Sequence, residues 1–196
     1  MKKICFASLS LLLLLAACNN NKTATEGSGK DTTAVADAQK PSEAATAAMD
    51  KQKEELEKLN PVSLDELKAM LPEVFMGGNR TNIDANSNNG ASLASGEYAI
   101  NDSMQVVVNI FDCAGPGGAG IYTMQFQSLE SSQQETAEEY TKATTINGNK
   151  GYEHCDKVSN DCTVTYFTAN RYLVVLEGKG VGAPALRAAA GQLKVK

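Results

Sequence analysis

Between residues 91 and 178 the chain keeps returning to one pattern. A short run of alternating or apolar-rich residues is closed by a turn, which leaves room for little except antiparallel hairpins. Met104, Val106, Val108 and Ile110 fall on one side of such a run, with Gln105, Val107 and Asn109 on the other. Residues 91–100 precede it across Asn101-Asp102-Ser103. Residues 139–146 and 149–155 flank Asn147-Gly148, a pair that takes up the positive φ angles of a type I′ turn at low cost. Residues 161–169 and 172–178 continue the meander. The Gly- and Asn-rich stretch 77–90 reads as a loop or a weak strand, 114–120 as a flexible connection, and 121–129 as either helix or strand.

Helical signals bracket this region. Ser63 is a natural N-cap with Glu66 three residues on, the capping-box spacing, and Val62 and Leu67 stand where a hydrophobic staple needs them. Leu64, Leu67 and Leu71 make one apolar face before Pro72 ends the helix. Pro184 opens a closing helix with Leu186, Ala189, Ala190 and Leu193 on one side. Strands in sequence with helices at the ends predict an α+β domain over residues 61–196: an antiparallel sheet of about five to seven strands with helices packed on one face. Ahead of it, residues 41–60 are helical in composition, with Lys51/Glu55 and Glu54/Lys58 at i,i+4 spacing. Their apolar members are mostly alanines, so the expectation is a solvated stalk helix, with a partner-binding helix as the sharper alternative.

Residues 1–17 read as an export signal: Lys2 and Lys3, then an apolar run over 4–15. That run is shorter than the ~20 residues a membrane-spanning helix needs. It ends in Leu15-Ala16-Ala17-Cys18, which resembles the lipobox of bacterial lipoproteins. The resemblance implies cleavage before Cys18 and a lipid on its thiol; anchoring by more than one acyl chain is stable where a single chain is marginal. Asn19 after the cysteine resembles the sorting signal for the outer membrane of a Gram-negative cell, and the lack of an acidic run implies the periplasmic face. Residues 18–40 are too polar to offset their ordering entropy and predict a disordered tether. As a random coil of about 20 residues it would reach roughly 25 Å.

Net charge is -5, and the leader would carry away Lys2 and Lys3. An acidic chain without a basic cluster is a poor partner for nucleic acid, whose binding depends on neutralising phosphates. Membrane attachment is therefore assigned to the lipid on Cys18 rather than to surface charge.

From Leu64 to Leu193 the chain resembles a family of uncharacterised bacterial envelope lipoproteins. The residues that carry the resemblance are Leu67-Lys68 with Leu71-Pro72, Gly78-Asn79-Arg80-Thr81 and Tyr98. They continue with Val108-Asn109-Ile110-Phe111-Asp112, Gly148 with Lys150-Gly151, and Arg171-Tyr172-Leu173-Val174. None of these motifs names a chemistry, and the resemblance implies no activity.

The residues themselves assemble no catalytic or metal-binding motif. His154 is the single histidine, and a zinc site with Cys155, Asp161 and Cys162 would need strand neighbours that point to opposite faces to converge. Asp84, Asn86, Asn88 and Gly90 begin like a calcium loop, but Asn89 and Ser95 occupy the positions that require Gly and Glu. The Gly-rich 114–120 lacks the Gly-Lys-Ser/Thr of a phosphate cradle, and no nucleophile elbow is present. Glu138-Glu139 are adjacent solvated charges. Arg80 and Arg171 are the candidate anion-binding residues: Arg171, at a hairpin turn with Asn170, can simply pair with a carboxylate of the protein, and if the two arginines converge they can grip an anion bidentately.

Three cysteines remain once Cys18 is used as the anchor. An oxidising envelope favours pairing. Cys155 and Cys162 end one strand and begin the next, which predicts a disulfide between them and a free, buried Cys113; a bridge from Cys113 to either is the rival. The function expected from the sequence is a non-enzymatic, membrane-anchored binding module, without cofactor or metal, for an envelope protein or small ligand. The alternative is a carrier or sensor of a small apolar or lipid-like ligand.

Overall fold

The computed structural model describes residues 43–195. The leader (1–17), Cys18 and the tether (18–40) lie outside the described residues. The chain runs through α1 (Glu43–Glu57), α2 (Leu64–Ala69), β1 (Val74–Phe75), β2 (Gly78–Asn88), β3 (Ala91–Asn101) and β4 (Met104–Asp112). It then forms α3 (Gly115–Ile121), a π-helical turn (Tyr122–Phe126) and a 3-10 turn (Gln127–Ser131). Next come β5 (Gln134–Glu135), β6 (Glu139–Ile146), β7 (Asn149–Asp156), β8 (Cys162–Thr168) and β9 (Tyr172–Lys179), and last α4 (Ala183–Ala189).

The strands form one antiparallel sheet of nine, ordered β1-β2-β3-β4-β9-β8-β7-β6-β5. The α+β class therefore holds, but the sheet is larger than the five to seven strands expected. The Asn- and Gly-rich 77–90 is mostly a full-length strand, and two short edge strands escape any periodicity count. Two meanders, each built from local hairpins, meet at β4 and β9, paired from Gln105↔Lys179 to Asp112↔Tyr172.

Strand alternation gives the sheet two faces, and the structure corrects the expectation that helices cover only one. On the first, Tyr98, Val106, Val108, Ile110, Val164, Tyr166, Val174 and Leu176 pack with Leu67 and Leu71 of α2 and Leu186 and Ala189 of α4 in one buried cluster. The capping box at Ser63 and Glu66 forms as its spacing predicts. On the second, Leu173 and Tyr152 pack with Leu56 of α1, Ala119 of α3, and Tyr122 and Phe126 of the π-helical turn.

The second face also corrects the stalk. Leu56 is 0% exposed and Met49 is buried, so α1 is a packed element rather than a solvated one. A single leucine and a methionine in an Ala- and charge-rich helix gave too weak a stripe to predict this. The Gly-rich segment is likewise a helix and not a flexible connection. A Cβ on Gly118 would lie 2.4 Å from the Cys113 carbonyl carbon, and one on Gly117 would lie 2.3 Å from the Asn89 carbonyl oxygen. Glycine at these positions lets α3 lie directly on the strand ends.

Candidate functional site

The two faces differ in what they leave open. Over the first, the sheet carries two buried carboxylates, Glu153 and Asp112, each 1% exposed. Arg187 of α4 donates to Glu153 Oε2, the Tyr140 hydroxyl donates to Oε1 at 3.1 Å, and Lys142 Nζ stands 3.1 Å from Oε1. The cluster ties α4 to the sheet, with both carboxylate oxygens bonded. Asp112 is as thoroughly used. Arg171 Nε and Nη2 donate to its two oxygens at 2.8 and 2.9 Å, Val62 N donates at 2.8 Å and Ala114 N at 3.1 Å.

These bonds account for the candidate anion-binding arginines. Arg171 holds Asp112, which keeps the guanidinium pKa above its ordinary value, and Arg171 Nη2 also donates to the Asn60 carbonyl at 2.6 Å. Arg80 donates through Nη1 to the carbonyls of Leu71 and Pro72, at 2.8 and 3.2 Å, just past the end of α2. The two arginines share no partner and serve separate acceptors of the protein itself. Sequence reasoning passed over Asp112 and Glu153. For Asp112 a signal existed at the end of the apolar β4 motif, since an acidic residue in phase with its inward positions must be paired or hydrogen-bonded; the polar sequence of β7 gave none for Glu153.

The cysteines fall as the strand register dictates. Cys155 and Cys162 are directly opposed on β7 and β8 and form a disulfide, with Cα atoms 4.2 Å apart. Cys113 is a buried free thiol, and burial pushes its pKa up to about 12. His154 points to the opposite face from Cys155, and its Nδ1 lies 2.9 Å from the Thr141 hydroxyl. His154 lines a polar hollow of about 440 Å³ with Asp156, Asp161, Glu177 and Lys179. The acids there are already engaged. Asp156 accepts from Val158 N and Ser159 N, Asp161 from Gly180 N, and Glu177 from Asn109. Among the described residues no group of three or more His, Cys, Asp or Glu is placed to hold a metal ion.

The second face holds the apolar openings. One groove of about 420 Å³ runs between the β2–β3 hairpin and α3, floored by Leu93 and Phe111 and flanked by Ile121 and Met124, with Asn86 and Asn88 on its rim. Met124 is 73% exposed. Its outward position follows from the π-helical turn, in which Tyr122 and Phe126 both turn inward; such turns are frequent where a helix serves function rather than packing. Beyond that turn an apolar hollow of about 300 Å³ opens among Met49, Tyr122, Phe126 and Phe167. Tyr122 and Phe167 meet at a tilt of 58° with centroids 4.8 Å apart, and Phe126 meets Tyr152 edge-on at 5.3 Å. Lys150 and the Tyr152 hydroxyl both bond Glu130 beside this cluster. Burial pushes the Glu130 carboxyl up, but those hydrogen bonds outweigh it and hold it below its ordinary value. Among the described residues no helix is long and apolar enough to cross a membrane. No known protein family, characterised protein or solved structure matches the chain.

Proposed function

We propose that the chain is a membrane-anchored envelope lipoprotein, held by lipid on Cys18 at the periplasmic side of the outer membrane, and that its α+β domain is a non-enzymatic binding module. The observation that carries the binding reading is the groove beside α3, where Leu93, Phe111 and Ile121 surround a Met124 left 73% exposed. An unbranched, polarisable side chain held out beside an apolar floor suits contact with another apolar surface. The non-catalytic reading is supported by the groups a reaction would need. Cys155 is spent in a disulfide, burial disfavours the Cys113 thiolate, and His154 sits against Thr141.

A photo-crosslinking amino acid placed at Met124 of the full chain in living cells tests the module, with the same probe at exposed Val158 as control. The expected result is a discrete adduct from position 124 that position 158 does not give; equal labelling would end this reading. The anchor is tested separately. Cys18→Ser abolishes incorporation of labelled fatty acid, and persistent labelling would remove the lipoprotein assignment. The second reading, a carrier of a small apolar ligand, is favoured by the groove volume of about 420 Å³, within the range of small-molecule sites. A lipid extracted in stoichiometric amount from the purified protein, and lost from Met124→Glu, would select it.

A further inference from the structure

The two edges of the sheet are finished differently. Along β6, β5 covers Tyr140 and Thr141, the Ala143 N–H is met by the Gln133 side chain at 3.1 Å, and Lys142 adds a charge, the usual ways of blunting an edge. Along β2, β1 covers only Gly78 and Asn79, and the Arg80 N–H reaches the Glu73 carbonyl at 2.9 Å. Beyond a bulge between Arg80 and Asn82 the ladder to β3 is regular to Asn88. Among the described residues, nothing pairs with the outer side of 82–88. That stretch holds no proline and no lysine, and it exposes Ile83.

The turn fixes which backbone groups face outward. Asn89 and Gly90 both have positive φ, 52° and 77°, the two-residue type I′ arrangement that makes Asn88 and Ala91 a hydrogen-bonded pair. Hydrogen-bonded and non-bonded pairs alternate along an antiparallel ladder. Asn82, Asp84, Asn86 and Asn88 therefore bond to β3, while Ile83, Ala85 and Ser87 turn their N–H and C=O groups away from it.

We propose that β2 pairs with β2 of a second copy of this chain, antiparallel and centred on Ala85, joining the two sheets edge to edge. This register sets Ala85 opposite Ala85 and Ile83 opposite Ser87 of the other copy, and uses every outward group of the stretch in about six hydrogen bonds. It places Asp84 opposite Asn86. A register one residue earlier along each strand, centred on Asp84, would oppose the two Asp84 carboxylates, which is unfavourable. Ile83 loses its exposure against Ser87 and Ala85 of the second copy. The edge is short, about 24 Å at 82–88, so the pairing is reversible. β1 already shows that this edge accepts an antiparallel strand, and the second copy extends that pairing. The inference is independent of the groove and the anchor.

Proline is tolerated at an edge position whose N–H faces away from the sheet. Ala85→Pro should leave the fold intact and remove the central pair of bonds. In sedimentation of the full chain it is expected to weaken self-association about tenfold. A folded Ala85→Pro protein that self-associates as the parent does would overturn the proposal. Should Ala85→Pro fail to fold, Ile83→Lys and Ser87→Glu chains serve instead. Each alone associates more weakly than the parent, and their mixture recovers pairing because residue 83 opposes residue 87. A mixture no better than either alone rejects this register. In cells, Ala85→Cys with a short bismaleimide should give at least ten times the dimer of Val158→Cys, and equal yields would refute the contact.

Discussion

The two faces of this sheet have been closed by different means. Under α2 and α4 the packing is continuous, and the acidic residues that enter it, Asp112 and Glu153, are each matched to an arginine. On the other face α1 and α3 cover only the end of the sheet near Leu173 and Tyr152, and apolar hollows remain on either side of the π-helical turn. The difference teaches where variation can be tolerated. A face whose buried charges are paired behaves as one unit, whereas a half-covered face can exchange its coverings without losing the core.

The largest effect is expected at Asp112. Asp112→Ala would orphan a partly buried guanidinium and release the Val62 and Ala114 amides together, with an expected cost of about 3–5 kcal/mol in denaturant unfolding. A loss under 1 kcal/mol would mean the first face is not unified by its charges. Next comes Leu56→Ala on the half-covered face, expected to cost about 2–4 kcal/mol. It should free α1 to proteolysis before the strands are cut; simultaneous loss of both would show that the second face is no less cooperative than the first. Opening the Cys155–Cys162 bridge is a smaller perturbation. The loop is short, so reduction should lower stability by about 2.5 kcal/mol at most, with β7 and β8 still paired by hydrogen exchange.

The smallest effect is one of pH. The Ser63 hydroxyl and backbone lower the Glu66 pKa from 4.5. A lowered folded value means the capping box contributes above the unfolded pKa and is lost as pH falls through the lowered one. NMR titration should show α2 fraying at its N-terminus in that acid range, with α4 unaffected. Fraying above pH 5 would not fit this carboxylate.

Much of this architecture is legible in the chain because it is local. Asn147-Gly148 fixes the β6–β7 hairpin, with Ile146 opposite Asn149, and the capping box fixes α2. The disulfide follows because its cysteines end and begin successive strands. What is not legible depends on distant partners. Alternation says which side of β4 is apolar but not that β9 is its neighbour. The glycines of α3 suggest freedom until Gly117 and Gly118 are seen against the strand ends. A single Leu56 cannot announce that a stalk is docked. For the candidate site, Arg171 stood out in the sequence, while the carboxylate that explains it was hidden in a strand motif.

The pairing of β4 with β9 bears on how the chain folds. Each meander can zip through contacts between sequence neighbours, but the seam between them must wait for residues sixty or more apart, Phe111 with Leu173 among them. Closing so long a loop carries an entropic cost before any contact is gained, so the side-chain contacts of the seam should consolidate late, after the folding barrier. In the interval β4, already paired with β3 on one side, keeps its other edge open beside Val106, Val108 and Ile110, an adhesive edge while the chain folds. A conservative truncation such as Val174→Ala should then speed unfolding far more than it slows folding. The reverse result would place the seam in the nucleus.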